Sequence, residues 1–238
     1  MKEKNYKFIP KVAFFAYEFN HWKSEKILED CILNKISVPV VFAAPKYNLS
    51  TKKIVTYEPS AYLKSLCKEN KIKLIKCSHD DIEIISKIAK NNQCNLGVIG
   101  GARKIKVEII KIFKFGILNY HPGKLPETSG LNAIERSILN GLPLTVSFHI
   151  INEKLDDGQM LLEQCVPIKI EDSLKDLKRR NLEFQCYLNS TVIKLYSEGR
   201  LIPYPTNRFS YNKKLNSDEL KQVNENIETW KRKILNIF

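Results

Sequence analysis

VAFFAYEFNHWKSEKILEDCILNKISVPVVFAA, residues 12–44, decides the fold class. Its two ends, Val12–Tyr17 and Val38–Ala43, are short apolar runs of the kind a strand buried on both faces requires. Between them Ser24–Leu33 has helical spacing, with Ser24 read as its N-cap. The pattern continues outward. Pro59–Asn70 reads as a helix and Ile72–Lys76 as a strand, while Ile82, Ile85, Ile88 and Ala89 trace one helix face. Leu96–Ile99 makes the next strand, closed by Gly100 and Gly101. Strands alternating with helices of about ten residues imply right-handed crossovers, so the expected class is α/β with a doubly wound, mostly parallel sheet. Ligands of such sheets bind beyond the carboxyl ends of the strands, which points to the turns after Ile99 and Leu118.

Several function classes fall away. The first strand is followed by Glu18, Phe19, Asn20 and His21, not by a glycine-rich turn, and no P-loop pattern occurs, which disfavours nicotinamide and P-loop ATP chemistry. Hydrophobic residues at 43% and charged residues at 27% suit a globular chain. The longest apolar stretch, Ile36–Pro45, is far short of the about 20 residues that span a bilayer. Val12–Tyr17 stops at Glu18 without a cleavage pattern, so no secretory signal and a cytoplasmic location are expected. The six cysteines form no C-x-x-C pair, and neither a zinc site nor a disulfide framework is expected. A net charge of +13 favours anionic ligands. The lysines are nevertheless spread along the chain without an interleaved aromatic platform, so no nucleic-acid partner and no membrane partner is expected.

The chemistry-bearing residues gather between Gly116 and Gln164. Asn119 ends a short strand, and the two-residue step to His121 puts both side chains on one side of an extended backbone. Val146–Ile151 reads as a strand carrying His149, ahead of a turn with Leu155, Asp156, Asp157 and Gly158. An amide that donates to an oxyanion, an imidazole that moves a proton and a carboxylate that orients it are parts of acyl-transfer chemistry. His121, His149 and Asp156 lack the helical spacing of common zinc motifs, so no metal is expected. Ser173 to about Glu198 reads as one long amphipathic helix. Past Gly199 the composition shifts, and a helix is expected over 217–237. These boundaries suggest a catalytic domain over 1–200 and a C-terminal helical and extended extension over 201–238, read as a docking or dimerising segment.

As an ordered set, Asn119, His121, Pro122, Leu125, Pro126, Gly130, His149, Leu155, Asp156 and Gly158 resemble the formyltransferase superfamily. Its pattern is Asn-x-His-Pro, a Leu-Pro step, a demanding glycine, a strand histidine and Leu-Asp-x-Gly. The resemblance covers about residues 10–170. It implies the family's Rossmann-like core, a catalytic triad of Asn119, His121 and Asp156, and 10-formyltetrahydrofolate as the formyl donor. It further implies that the folate loop falls on Ala102, Arg103, Lys104 and Ile105, with backbone groups holding the pterin. The turn containing Asn152 and Leu155 would form the opposite wall.

The chain departs from the family pattern at Gly123-Lys124 and at Thr128-Ser129, beside the acceptor pocket and not on the triad. Methionyl-tRNA members carry a C-terminal barrel for which the tail is too short. Tyr120 and the tail resemble the sugar-nucleotide N-formyltransferases. The expected acceptor is therefore a nucleotide-linked amino sugar, of the dTDP-4-amino-4,6-dideoxyglucose type, for surface polysaccharide such as O-antigen. Trp22, Tyr120, Lys124 and His149 are its candidate contacts, and a homodimer is expected. Alternatives are glycinamide ribonucleotide formylation, formyltetrahydrofolate hydrolysis, and a non-catalytic basic binding module.

Overall fold

The computed structural model describes residues 7–48, 50–51, 53–103, 105–152, 158–206 and 211–236. In chain order its elements are β1 (Lys11–Tyr17), α1 (Trp22–Leu33), β2 (Ser37–Ala44), β3 (Tyr47–Asn48), β4 (Lys53–Ile54), α2 (Ala61–Glu69), β5 (Lys73–Lys76), α3 (Ile82–Asn91), β6 (Leu96–Ile99), α4 (Val107–Ile110), β7 (Ile117–His121), α5 (Ala133–Leu139), β8 (Thr145–Ile151), β9 (Gly158–Cys165), α6 (Leu174–Ser197), β10 (Tyr204–Pro205) and α7 (Ser217–Ile234). The chain divides into two compact units. Met1–Asn119 with Asn189–Leu201 forms one, and Tyr120–Leu188 with Ile202–Phe238 the other.

In the first unit the strand order is β7-β6-β1-β2-β5, with every pairing parallel. The chain winds from β1 out to β5, then returns to the other side of β1 for β6 and β7, which is the doubly wound α/β arrangement. Phe14, Phe15, Val40, Val41 and Phe42 are fully buried, as strands covered on both faces must be. The far end of α6 joins this unit through Asp30, whose carboxylate accepts from Asn189 Nδ2 and from the Ser190 amide, both at 2.8 Å.

The start of α1 differs from expectation. His21, not Ser24, is the N-cap, and its Nδ1 lies 2.6 Å from Ser24 Oγ and accepts from the Ser24 amide at 3.3 Å. Ser24 lies in the first helical turn, and Gly100 and Gly101 press against it. A Cβ on Gly101 would stand 2.7 Å from Ser24 Oγ, and one on Gly100 would stand 2.4 Å from the Phe14 ring. The glycine pair therefore admits a close approach of helix to strand end, beyond the simple turn its sequence suggested.

In the second unit β10, β9 and β8 pair antiparallel. Residues 202–238 pack into one unit with 120–188. The physical reason lies in α7. Val223 and Trp230 are buried, Trp230 Nε1 donates to the Leu142 carbonyl at 2.7 Å, and Asn216 closes a capping box with Glu219. The Lys231 ammonium is buried too. It donates to the carbonyls of Ile170 at 2.5 Å and Asp172 at 2.9 Å, and it pairs with Glu228 at 2.7 Å. A helix that could not hold a core alone is stable here because α5 and these carbonyls receive its inner face.

His79 carries a pH signature. It is 4% exposed, its Nε2 donates to the Phe42 carbonyl at 3.0 Å, and its Nδ1 is buried without a hydrogen-bond partner. Burial, only partly offset by the Phe42 and Ala16 carbonyls, holds its pKa below the ordinary 6.5. The unfolded chain thus binds a proton near pH 6.5 that the folded chain resists, so this contribution to stability is complete above about 6.5 and is lost as pH falls below it. Urea midpoints measured at pH 7.5 and 5.5 should fall in acid more for the wild type than for His79→Phe, which keeps a ring and removes the titration. Equal drops would refute the assignment.

Candidate active site

β7 carries the first part of the constellation. Ile117 and Leu118 are fully buried and seed the strand, and Pro122 ends it by removing an amide donor. Alternation along the strand puts Asn119 and His121 on one face and Tyr120 on the other. Asn119 is half-buried. Tyr120 is 2% exposed, with its ring edge-on to Phe148 at 5.3 Å. The partition between the units falls between Asn119 and Tyr120.

Within the second unit His121 is 3% exposed and its Nε2 lies 2.9 Å from the Thr128 carbonyl oxygen. A carbonyl cannot donate, so Nε2 bears a hydrogen and donates it to Thr128. Thr128 is fully buried, and its hydroxyl donates to the Lys124 carbonyl at 2.8 Å. The loop can close so tightly because residue 123 is glycine: a Cβ there would stand 2.1 Å from Thr128 Oγ1. From β8, Ser147 Oγ donates to the Gly123 carbonyl at 2.7 Å and accepts from the Leu125 amide at 3.2 Å. Sequence reading saw Thr128 only as a departure from a pattern, and missed Ser147 altogether. The available signal was a polar residue alternating with His149 in an otherwise apolar strand.

His149 is 1% exposed on β8, opposite Met160, and a register shift between Phe148 and His149 marks a bulge. Bulges re-aim side chains at sites. Gly158 opens β9 where a Cβ would stand 2.1 Å from the Ile150 carbonyl, so the last residue of Leu-Asp-x-Gly is required by the approach of β9 to β8. Asp156 and Leu155 lie outside the described residues, as does Lys104. Asn152 is exposed.

Lys124 does not stand as an isolated cation. Its ammonium is 3.1 Å from Glu127, the bond that chiefly raises its pKa, and Glu163 adds to the effect. Burial in turn pushes the Glu163 carboxyl up, and the charge of Lys124 pulls against that. In the first unit Trp22 is 44% exposed at the start of α1. Ala102 is half-buried, Ile105 is 3% exposed, and the exposed Arg103 lays its guanidinium 4.2 Å from the centre of the Tyr47 ring.

The first unit is thus a Rossmann-like α/β core with a parallel sheet, and Asn-x-His stands at the carboxyl end of β7. Residues 10–193 match the family model described as Formyl transferase, and the chain belongs to that family. Phosphoribosylglycinamide formyltransferase of Haemophilus influenzae is 37% identical over 109 residues, 45% of this chain and 51% of that protein. Methionyl-tRNA formyltransferase of Thermodesulfovibrio yellowstonii is 30% identical over 174 residues, 72% of this chain and 53% of that protein. The chain spans about half the length of these curated relatives. A sugar N-formyltransferase from a Shewanella species has a similar fold, with a TM-score of 0.62 at 17% identity over 86% of this chain and 77% of that one.

Proposed function

We propose that this protein moves a formyl group from 10-formyltetrahydrofolate to the amino group of a nucleotide-linked amino sugar of the dTDP-4-amino-4,6-dideoxyglucose type, for surface polysaccharide. The observation that carries formyl transfer is the fixed state of His121. Its ring is held at Nε2 by the Thr128 carbonyl, and it is assigned to take the proton an attacking amine must lose. Asn119, on the same face of β7, supplies an amide donor for charge developing on an oxygen. Asp156 is assigned to orient the imidazole, by its place in Leu-Asp-x-Gly.

The donor, when bound, supplies an electrophilic formyl carbon. The residues of the expected folate loop suit a ligand with a flat apolar ring and an anionic tail. Ile105 is buried, Ala102 half-buried, and Arg103 presents a cation beside a cavity of about 200 Å³ lined by Ala44, Pro45, Ile54 and His79.

The sugar reading rests on the C-terminal segment. Asn212 donates through Nδ2 to the Ser129 carbonyl at 2.8 Å, and its own carbonyl accepts from the Leu131 amide at 3.1 Å. Residues past 201 thus shape the loop on which the chain departs from its family. Trp22, exposed on α1, remains the candidate aromatic contact, and Lys124 and His149 the candidate polar ones. We assign the active form to a cytoplasmic homodimer; among the described residues no helix is long and apolar enough to cross a membrane. The second reading, glycinamide ribonucleotide formylation, is favoured by the 37% identity to the Haemophilus protein.

The test is incubation with 10-formyltetrahydrofolate and a panel of amino-sugar nucleotides and glycinamide ribonucleotide, following tetrahydrofolate release and formylated product. Turnover with an amino-sugar nucleotide is expected. Turnover with glycinamide ribonucleotide alone would replace the acceptor, and release of formate without an amine would indicate a hydrolase.

A further inference from the structure

The hairpin β3–β4 follows β2 and has no part in the sheet of the first unit; Tyr47 pairs with Ile54 and Asn48 with Lys53. A hairpin of two such short strands would ordinarily be a surface ornament. Here Tyr47 faces Arg103, with the guanidinium 4.2 Å from its ring centre, a distance at which a cation is attracted to the ring face. Tyr47 is half-buried and Arg103 exposed. Neither is wedged in place by dense packing, because both line the cavity of about 200 Å³ that also touches Ile54 and His79. The charge of Arg103 is felt on its other side too: it opposes the upward shift that burial gives the Tyr17 hydroxyl, and adds to the downward shift at His79. The side chain therefore has one defined station, over Tyr47 and toward the ends of β1 and β5.

We infer that Tyr47 is a positioning residue for the loop Ala102–Ile105, and that the β3–β4 hairpin exists to hold that loop in the shape that receives the formyl donor. This rests on the donor reading given above. The loop begins immediately after the Gly100–Gly101 turn, whose close approach to Ser24 fixes its near end. Its far end is fixed by the burial of Ile105, at 3% exposure. Between these ends the exposed Arg103 takes its hold from the Tyr47 ring. An aromatic ring is required for this, whereas the phenolic hydroxyl is not, since the attraction is to the ring face.

Two measurements on Tyr47→Ala, Tyr47→Phe and the wild type test the inference. In hydrogen exchange without ligand, amides of residues 102–106 should exchange about two- to five-fold faster in Tyr47→Ala, the range of one exposed cation–π contact, and as in the wild type in Tyr47→Phe. In steady state, Tyr47→Ala should raise KM for 10-formyltetrahydrofolate by a similar factor, with kcat and the acceptor KM unchanged and Tyr47→Phe restored. Unchanged exchange in Tyr47→Ala would overturn the positioning role. So would a fall in kcat, or a rise in both KM values, that Tyr47→Phe fails to rescue, because that pattern belongs to general loosening of the unit. Altered exchange in a protein whose wild type never consumes the folate would overturn the donor reading and leave the hold on the loop standing.

Discussion

Asn119→Ala should lower kcat for formyl transfer by about 10²–10³, the usual cost of removing one oxyanion donor. The donor KM should stay within about two-fold, because an interaction realised only in the transition state does not contribute to ground-state binding. Asn119 is half-buried on β7, between the fully buried Leu118 and the core residue Tyr120, so the strand does not depend on it for packing. Thermal stability should therefore change little, and a comparison of kcat with the melting temperature separates catalysis from folding. His121→Asn should be at least as damaging, since it removes the ring that the Thr128 carbonyl holds. A fully active, folded Asn119→Ala would sink the mechanism. A folded wild type without turnover on any acceptor would instead favour the basic binding module.

The second large effect is expected at Gly130. Its φ of +94 lies where side chains are disfavoured, and a Cβ would stand 2.3 Å from the Asn212 carbonyl oxygen and 2.8 Å from its amide nitrogen. That contact is where the returning chain is stitched to the loop: the Asn212 amide donates to the Ser129 carbonyl at 3.1 Å, and the Leu131 amide donates to Asn212 at 3.1 Å. Gly130→Ala meets both backbone strain and a collision with main chain that cannot swing away. Each costs about 1–3 kcal/mol, so a loss of about 3 kcal/mol is expected. For a chain of this size that is a fall in melting temperature of roughly 6–12 °C. Activity should fall further than stability alone explains, because Thr128, two residues away, supplies the carbonyl that holds the His121 ring at Nε2. Asn212→Ala is the informative comparison. It removes side-chain hydrogen bonds worth about 1 kcal/mol and keeps the backbone exchange, so it should cost much less. Calorimetry of the two variants decides, and a Gly130→Ala protein melting within a degree of the wild type would contradict the geometry.

Much of the first unit was legible before any coordinates. The apolar runs ending at Tyr17 and near Ala44, and the run Leu96–Ile99, are strands because two covered faces demand near-continuous hydrophobic residues. The helices between them were visible for the complementary reason that one apolar stripe must face the sheet. What escaped were short or one-sided elements. β3 and β4 have only two residues each, and β9 mixes Met160 and Leu161 with Gln159 and Glu163, so neither leaves a period to detect. α5, only seven residues long, is hidden in the same way.

The site divides along a similar line. Residue types and local spacing sufficed to pick out Asn119 and His121, because the two-residue period of a strand already puts them on one face. Sequence alone also determined the α/β class, and the ordered motifs that mark the family were written there. Only the tertiary structure decided that His121 Nε2 donates to the Thr128 carbonyl, that Tyr120 packs on Phe148, that Arg103 is held by Tyr47, and that residues 202–238 pack with 120–188. Periodicity and motif order are properties of neighbours along the chain, and they can be read there. A carbonyl seven residues away, a ring more than fifty residues away, or an asparagine that meets a glycine across eighty positions is set by which surfaces fit when the chain packs.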